Sequence, residues 1–150
     1  MAKVGRAARV ASRQRTENIG AAGKTIQSAE TGELYIVNSA TPGEITLPTA
    51  QDGAYFKIMF ALPCTGNVVL NSQAGEFLVG TVTHLLSGAN VETTSALVGN
   101  SRVKVTLSKG SGGTNAVGIG SMIECYSDGS HWYLAASIVA DHADNAATFA

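Results

Sequence analysis

Apolar and polar residues alternate with a period of two along most of the chain from residue 33 onward. Such alternation is typical of β-strands with one buried face, whereas an amphipathic helix repeats about every 3.6 residues. The pattern predicts eight short strands, at residues 34–37, 44–47, 54–62, 67–71, 76–83, 102–107, 116–126 and 131–138. Because no strand–helix–strand alternation is visible, the predicted fold is all-β, a single antiparallel β-sandwich or barrel.

The last two predicted strands flank a clear hairpin signal. Asp128-Gly129 stands between two alternating runs, and an Asp-Gly pair in that position favours a tight turn. On the second of these strands, Trp132 and Leu134 share one face, which we predict to be the buried one. We also expect Tyr133 to serve the core, because large aromatic side chains of a hairpin usually do so.

Charged residues divide the chain into two parts. Residues 1–24 carry a net charge of +5, and residues 25–150 carry −6. The basic residues of the first part, which are offset by Glu17 alone, are Lys3, Arg6, Arg9, Arg13, Arg15 and Lys24. This asymmetry predicts a basic N-terminal arm at residues 1–32, a β-domain at residues 33–138 and a C-terminal tail at residues 139–150.

The predicted arm has helical spacing in its first half. Arg6, Arg9 and Arg13 share one face of a helical wheel, and the opposite face is rich in alanine. Alanine buries little area, so such a helix would be marginal by itself. Three interpretations stay open: a solvated terminus, an anchor that lies on an acidic neighbour, and contact with DNA. The third is weak, because a few positive charges without interleaved aromatic residues are a poor nucleic-acid signal.

The overall composition is that of a globular chain with an unusually uncharged surface. Hydrophobic residues make up 45% of the chain, and charged residues only 14%. A surface so poor in charge is typically covered by partners. A net charge of −1 argues against direct binding of nucleic acid, and no apolar run approaches the length of a membrane span. No secretory signal is recognisable, so we expect assembly in a cytoplasm.

Residues that could carry chemistry are few and scattered. The sequence has neither a G-x-S-x-G motif nor a P-loop. Asp141 and His142 could touch a metal, but we expect them to be solvated in the tail. Cys64 and Cys125 are too few for a disulfide framework, and whether they pair stays open. We therefore expect no enzymatic activity, no metal and no cofactor.

Several segments together resemble known proteins. They are the basic leader at residues 1–15, ELYIV at 33–37, ITLP at 45–48, GAYFK at 53–57 and IECYSDGSHWY at 123–133. In this layout the chain resembles small β-rich virion proteins of tailed bacteriophages, most of all head decoration (cement) proteins. The resemblance covers most of residues 1–138, and its motifs are more specific for a virion β-module than for the head.

The resemblance implies a non-enzymatic virion protein, assembled in the host cytoplasm. It implies a homotrimer on the outer surface of the capsid, which binds the major capsid protein and stabilises the head. The capsid-binding residues would be those of the arm, namely Lys3, Arg6, Arg9, Arg13 and Arg15. The main alternative is a head-fibre or tail-associated receptor-binding β-module. An enzyme on a β-sandwich is a third hypothesis, which lacks a clustered acid/base set.

Overall fold

The structure is a computed structural model that describes residues 14–86, 92–97 and 102–150, with the backbone alone described at 92–97. These residues form β-strands and one 3₁₀ turn at Ser28–Glu30, with no α-helix among them. The all-β expectation is therefore confirmed. The strands are β1 (Thr16–Ile19), β2 (Lys24–Thr25), β3 (Leu34–Val37), β4 (Ile45–Thr46), β5 (Asp52–Phe60), β6 (Val68–Asn71), β7 (Leu78–Leu86), β8 (Glu92–Leu97), β9 (Lys104–Ser108), β10 (Met122–Asp128), β11 (Trp132–Ala140) and β12 (Ala146–Phe149).

The strands form two sheets that pack together. The seven-stranded sheet has the order β1-β3-β5-β10-β11-β7-β8, and the five-stranded sheet has the order β12-β9-β6-β4-β2. Both sheets are mixed. In the first sheet, β1, β3 and β5 run parallel, as do β11 and β7. In the second sheet, β2, β4 and β6 run parallel. The prediction of an antiparallel sandwich or barrel was therefore wrong in its strand directions.

The parallel pairs arise from the path of the chain. From β1 to β6, each strand lies in the opposite sheet from the strand before it. A chain that crosses to the other layer and returns enters the first sheet in its original direction, so successive strands of one sheet are parallel. The register aligns Ile19 with Val37 and Val37 with Phe60, and all three side chains are buried.

The second half of the seven-stranded sheet is built by antiparallel pairing. β10 pairs with β5 on one side and with β11 on the other. The β10–β11 connection is the hairpin that the sequence predicts, with Gly129 at φ +88° in its turn. The Asp128 carboxylate accepts hydrogen bonds from the backbone N–H groups of Ser130 and His131, at 2.8 Å each. The turn is thus closed by its own aspartate.

The core lies between the sheets. Trp132 is fully buried and Leu134 nearly so, which confirms the predicted inward face of β11. The rings of Trp132 and Phe56 have centroids 5.5 Å apart, and the indole N–H of Trp132 donates to Glu76 at 3.3 Å. Burial of large aromatic side chains with their polar atoms paired is a main source of stability in a small domain.

The β-fold extends beyond the predicted domain of residues 33–138 at both ends. β1 and β2 lie within the segment predicted as an arm, and Ile19 and Ile26 are buried in the core. At the other end, β12 lies within the predicted tail and pairs with β9 along its length. Thus Thr16–Ile19, Lys24–Thr25 and Ala146–Phe149 belong to the sheets, and of the predicted arm only residues 1–13 lie outside the described residues.

Candidate interaction surface

The outer face of the seven-stranded sheet carries a row of tyrosines. The register places Tyr55 of β5, Tyr126 of β10 and Tyr133 of β11 side by side across three strands. Tyr126 and Tyr133 are 46% and 44% exposed, and the ring centroids of Tyr55 and Tyr126 are 4.8 Å apart. Exposed aromatic side chains on a sheet face are unusual for a surface that meets only water, and they are enriched at interfaces.

Tyr133 corrects one expectation from the sequence. Its neighbour Trp132 points into the core, and successive side chains of a strand point to opposite faces. Tyr133 therefore lies on the outer face rather than in the core, and its hydroxyl donates to the Asp128 carboxylate at 2.9 Å. The alternation along the strand indicates this outward position, whereas the place of Tyr133 in a hairpin does not decide which face it occupies.

An ion pair lies next to the tyrosine row on the same face. Lys57 Nζ lies 3.2 Å from Glu124 Oε1. The Glu124 carboxylate also accepts hydrogen bonds from the hydroxyls of Tyr126 at 3.3 Å and Tyr55 at 3.5 Å. The hydrogen bond to Glu124 raises the pKa of Lys57 above its ordinary value. The two charges neutralise one another, so the centre of this face presents little net charge.

A shallow groove of about 230 Å³ continues from the ion pair along the face. The groove exists because β11 contributes only the small side chains of Ala135 and Ser137 to its floor. The full lining is Thr81, Thr83, Met122, Glu124, Ala135, Ala136 and Ser137. The groove is thus lined by methyl and hydroxyl groups with a single carboxylate.

Two carboxylates stand at the end of the face next to the tyrosine row. Asp128 lies directly opposite Asp52 in the register of β10 and β5. Backbone N–H groups of His131 and Ser130, together with the Tyr133 hydroxyl, lower the pKa of Asp128 to about 2. Asp52 is exposed, and its carboxylate makes no hydrogen bond or ion pair with another described residue. We call Asp52, Asp128 and the tyrosine row the acid–tyrosine corner.

The predicted arm residues fall into two groups. Lys3, Arg6, Arg9 and Arg13 lie outside the described residues. Arg15 is described, and its 83% exposed side chain pairs with the largely buried carboxylate of Glu33 at 3.2 Å. Arg15 therefore forms an ion pair with the β-domain of its own chain, at the residue directly before β3.

Lys24 is the centre of a second ion-pair cluster near the start of the fold. Its Nζ lies 2.9 Å from Glu17 and 3.0 Å from Glu30. The carboxylates of Glu17, Glu30 and Glu33 lie within 4.8 Å of one another, a spacing that a metal ion could bridge. The ammonium group of Lys24 already supplies the opposing charge between two of them. Burial acts to raise the pKa of Glu30, but hydrogen bonds from Gln27 and Lys24 outweigh it and lower the pKa.

The Asp141–Asp144 segment, a possible metal contact by sequence, serves the fold in another way. The Asp141 carboxylate accepts backbone N–H bonds from Thr114 and Asn115, at 2.9 and 2.8 Å. Asn145 is buried and donates to the carbonyl of Asn115 at 2.8 Å. These bonds fasten the glycine-rich segment before Ala116 to the turn between β11 and β12.

Buried nucleophiles and bases of the described chain are shielded from solvent. Cys64 and Cys125 are free thiols in the core, and burial raises their pKa values to about 11 and 12. His84 is 1% exposed, and neither ring nitrogen has a hydrogen-bond partner among the described residues. Burial lowers the pKa of His84. These groups are set up for packing rather than for contact with a ligand from solution.

Comparison with known proteins yields no relative: no family model, curated protein or solved structure matches the chain. Within the described ranges, no helix is both long and apolar enough to span a membrane.

Proposed function

We propose that this chain is a structural protein of a tailed-bacteriophage virion, a decoration (cement) protein that binds the outer surface of the major capsid lattice. The observation that carries the proposal is the outer face of the seven-stranded sheet. It exposes tyrosines beside an ion pair whose charges neutralise each other. The centre of this face can be buried against another protein without leaving a charge unpaired.

The sequence resemblance to phage head decoration proteins supports the same proposal. A two-layered β-fold with a low charge content suits a protein that is buried between neighbours for its working life. We propose a homotrimer: symmetric closure is the usual outcome of self-association, and the threefold symmetry rests on the resemblance alone. Light scattering of the purified protein tests whether that trimer forms before it meets a capsid.

In this proposal, the basic segment at residues 1–13 anchors the protein to an acidic groove of a capsid subunit. The segment supplies Lys3, Arg6, Arg9 and Arg13, and it contains no acidic residue. Each exposed ion pair contributes only about 0–1 kcal/mol, so the anchor works through several pairs at once. Because Arg15 pairs with Glu33 and Thr16 begins β1, the anchor ends before Gln14.

Co-sedimentation with capsids that lack the protein tests this function. The full-length variant with Lys3, Arg6, Arg9 and Arg13 all changed to alanine should remain folded and should lose most of its binding. Arg15→Ala is the matched control, and it should bind nearly as well as the wild type because its partner is Glu33. Undiminished binding of the four-residue variant at low and high salt would reject the anchor. No binding by the wild type would reject the decoration function itself.

A receptor-binding β-module of a head fibre or tail is the second candidate. The observation that favours it is the groove beside the tyrosine row, where threonine and serine hydroxyls line the same concave surface as the Glu124 carboxylate. Convergence of a few polar groups in a concave site is typical of ligand binding. Copy number separates the two functions, since a decoration protein covers the lattice in many copies and a receptor-binding module is present in few.

A further inference from the structure

We propose that the acid–tyrosine corner is the docking site, in the free protein, for this chain's own basic segment at residues 1–13. The inference concerns the isolated protein and does not depend on a capsid. It names an occupant for a surface that the fold leaves uncovered among the described residues, and it gives the segment a second binding site besides the proposed anchor groove.

The chemistry of the corner matches a guanidinium group. Asp128 and Asp52 stand opposite each other on neighbouring strands, and directly opposed like charges repel unless a cation lies between them. The hydrogen bonds that Asp128 accepts keep it ionised, and no described cation pairs with Asp52. Tyr126 and Tyr133 expose their rings beside these carboxylates. Arginine binds carboxylates through paired hydrogen bonds and stacks on aromatic rings.

The charges of the two partners are complementary. The corner carries two negative charges from Asp52 and Asp128, since Glu124 is neutralised by Lys57. Residues 1–13 carry four positive charges and no negative one. The other basic residues of the first 24, Arg15 and Lys24, are already paired with glutamates of the β-domain. Among the first 24 residues, only those before Gln14 therefore have cations to offer.

The chain enters the fold at the end of the sheet where the corner lies. Thr16 aligns with Leu34, and Leu34 aligns with Lys57, so residues before Thr16 lie toward the Tyr55 end of β5. The Gln14 side chain donates to the Gly32 carbonyl at 3.0 Å, and the Gly32 N–H donates to the Tyr55 carbonyl at 2.7 Å. Two successive hydrogen bonds thus connect Gln14, the first described residue, to the tyrosine row.

The segment is long enough to reach across the corner. Two strand spacings separate β1 from β5 and one more separates β5 from β10, which amounts to roughly 10–15 Å. Thirteen residues span up to about 40 Å when extended.

NMR of the full-length protein without capsids tests the proposal. The amide and ring signals of Asp52, Tyr126 and Tyr133 should differ between the wild type and the Arg6→Ala, Arg9→Ala, Arg13→Ala variant. The difference should disappear at about 1 M salt, where the Debye length is about 3 Å. Asp52→Asn should reduce it, because one of the two carboxylates is then neutral. The control variant Lys109→Ala removes an exposed charge in the segment that packs near Asp144 and should leave these signals unchanged.

Two outcomes would overturn the proposal. If the arginine variant and the wild type give the same corner signals at low salt, the segment does not dock there. If the difference disappears on dilution, the occupant is the segment of a second copy and not that of the same chain. Both results leave the proposed anchoring to a capsid untouched, because no capsid is present in the experiment.

Discussion

The two faces of the seven-stranded sheet are both rich in apolar and aromatic side chains, yet they have opposite surroundings. Trp132 and Tyr133 show this most directly, since they are consecutive in β11. Trp132 is fully buried between the sheets, whereas Tyr133 is 44% exposed on the outer face. A strand with two apolar faces therefore has two surfaces suited to contact. In β11, one packs within the chain, and the other is available for a partner.

The largest expected effect comes from the inner face. Trp132→Ala should lower the free energy of unfolding by about 3–5 kcal/mol, because it leaves a cavity beside Phe56 and removes the hydrogen bond to Glu76. Urea unfolding at constant pH measures the change. A loss below about 1 kcal/mol would show that the inner face at Trp132 is not the tightly packed core described here.

A backbone contact inside the same sheet should give the next largest effect. A Cβ added at Gly80 of β7 would overlap the Leu134 carbonyl oxygen, at a φ of +150° that L side chains rarely adopt. Gly80→Ala should therefore separate β7 from β11 and destabilise by about 1–3 kcal/mol. Gly20→Ala is the control, since no atom lies within 4 Å of its added Cβ. Equal urea midpoints for the two variants would contradict the close approach of these strands.

His84, a polar residue on the inner face, should make the fold sensitive to acid. Its pKa is lowered by burial, so below the unfolded value of about 6.5 the unfolded chain binds a proton that the folded chain excludes. The contribution of His84 to the free energy of unfolding is therefore fully present above that pH. It falls as the pH decreases, by up to about 1.4 kcal/mol per pH unit, until the pH reaches the pKa of His84 in the folded state.

Unfolding at pH 7.5 and pH 5.5 measures the His84 effect. His84→Leu should reduce the difference between the two pH values, because leucine fills the buried site without a group that binds a proton. A pH dependence that is the same in the wild type and in His84→Leu would show that His84 is protonated in the folded state.

The outer face should respond least in stability. Tyr133→Ala removes an exposed ring and one exposed hydrogen bond to Asp128, so the free energy of unfolding should change by no more than about 0.5 kcal/mol. Under the proposed function, the same variant should still weaken co-sedimentation with capsids, because interface tyrosines contribute strongly to binding. A large loss of stability would instead make Tyr133 part of the fold, and the two faces would no longer differ in role.

The strands that the sequence predicts correctly are those whose own residues alternate. The hairpin of β10 and β11 is the clearest case, since Asp128-Gly129 and the inward position of Trp132 follow from local rules. β10 itself begins later than the predicted residue 116, because Gly120 adopts φ +84° in a turn where the Ser121 hydroxyl donates to the Gly118 carbonyl. That turn depends on a hydrogen bond that the alternation does not reveal.

The strands that the sequence did not predict are short or polar. β1 has the residues TENI and β2 has only KT, so neither contains enough alternation to be recognised. These residues form strands because they pair in register with the edges of β3 and β4. Similarly, the sequence predicts a tail where β12 lies, because β12 forms only through its pairing with β9, which is distant in the chain.

By itself, the sequence determined the all-β class, the hairpin, the inward side of β11 and the separation of basic residues from an acidic body, because each depends on residues near one another in the chain. Only the tertiary structure decided the directions of the strands, the place of β1, β2 and β12, and the meeting of Asp52, Asp128 and three tyrosines on one face. The physical reason is that the edge of a sheet can form hydrogen bonds with a parallel or an antiparallel strand. The order in which the chain crosses between the two sheets determines the direction of the strand that pairs there.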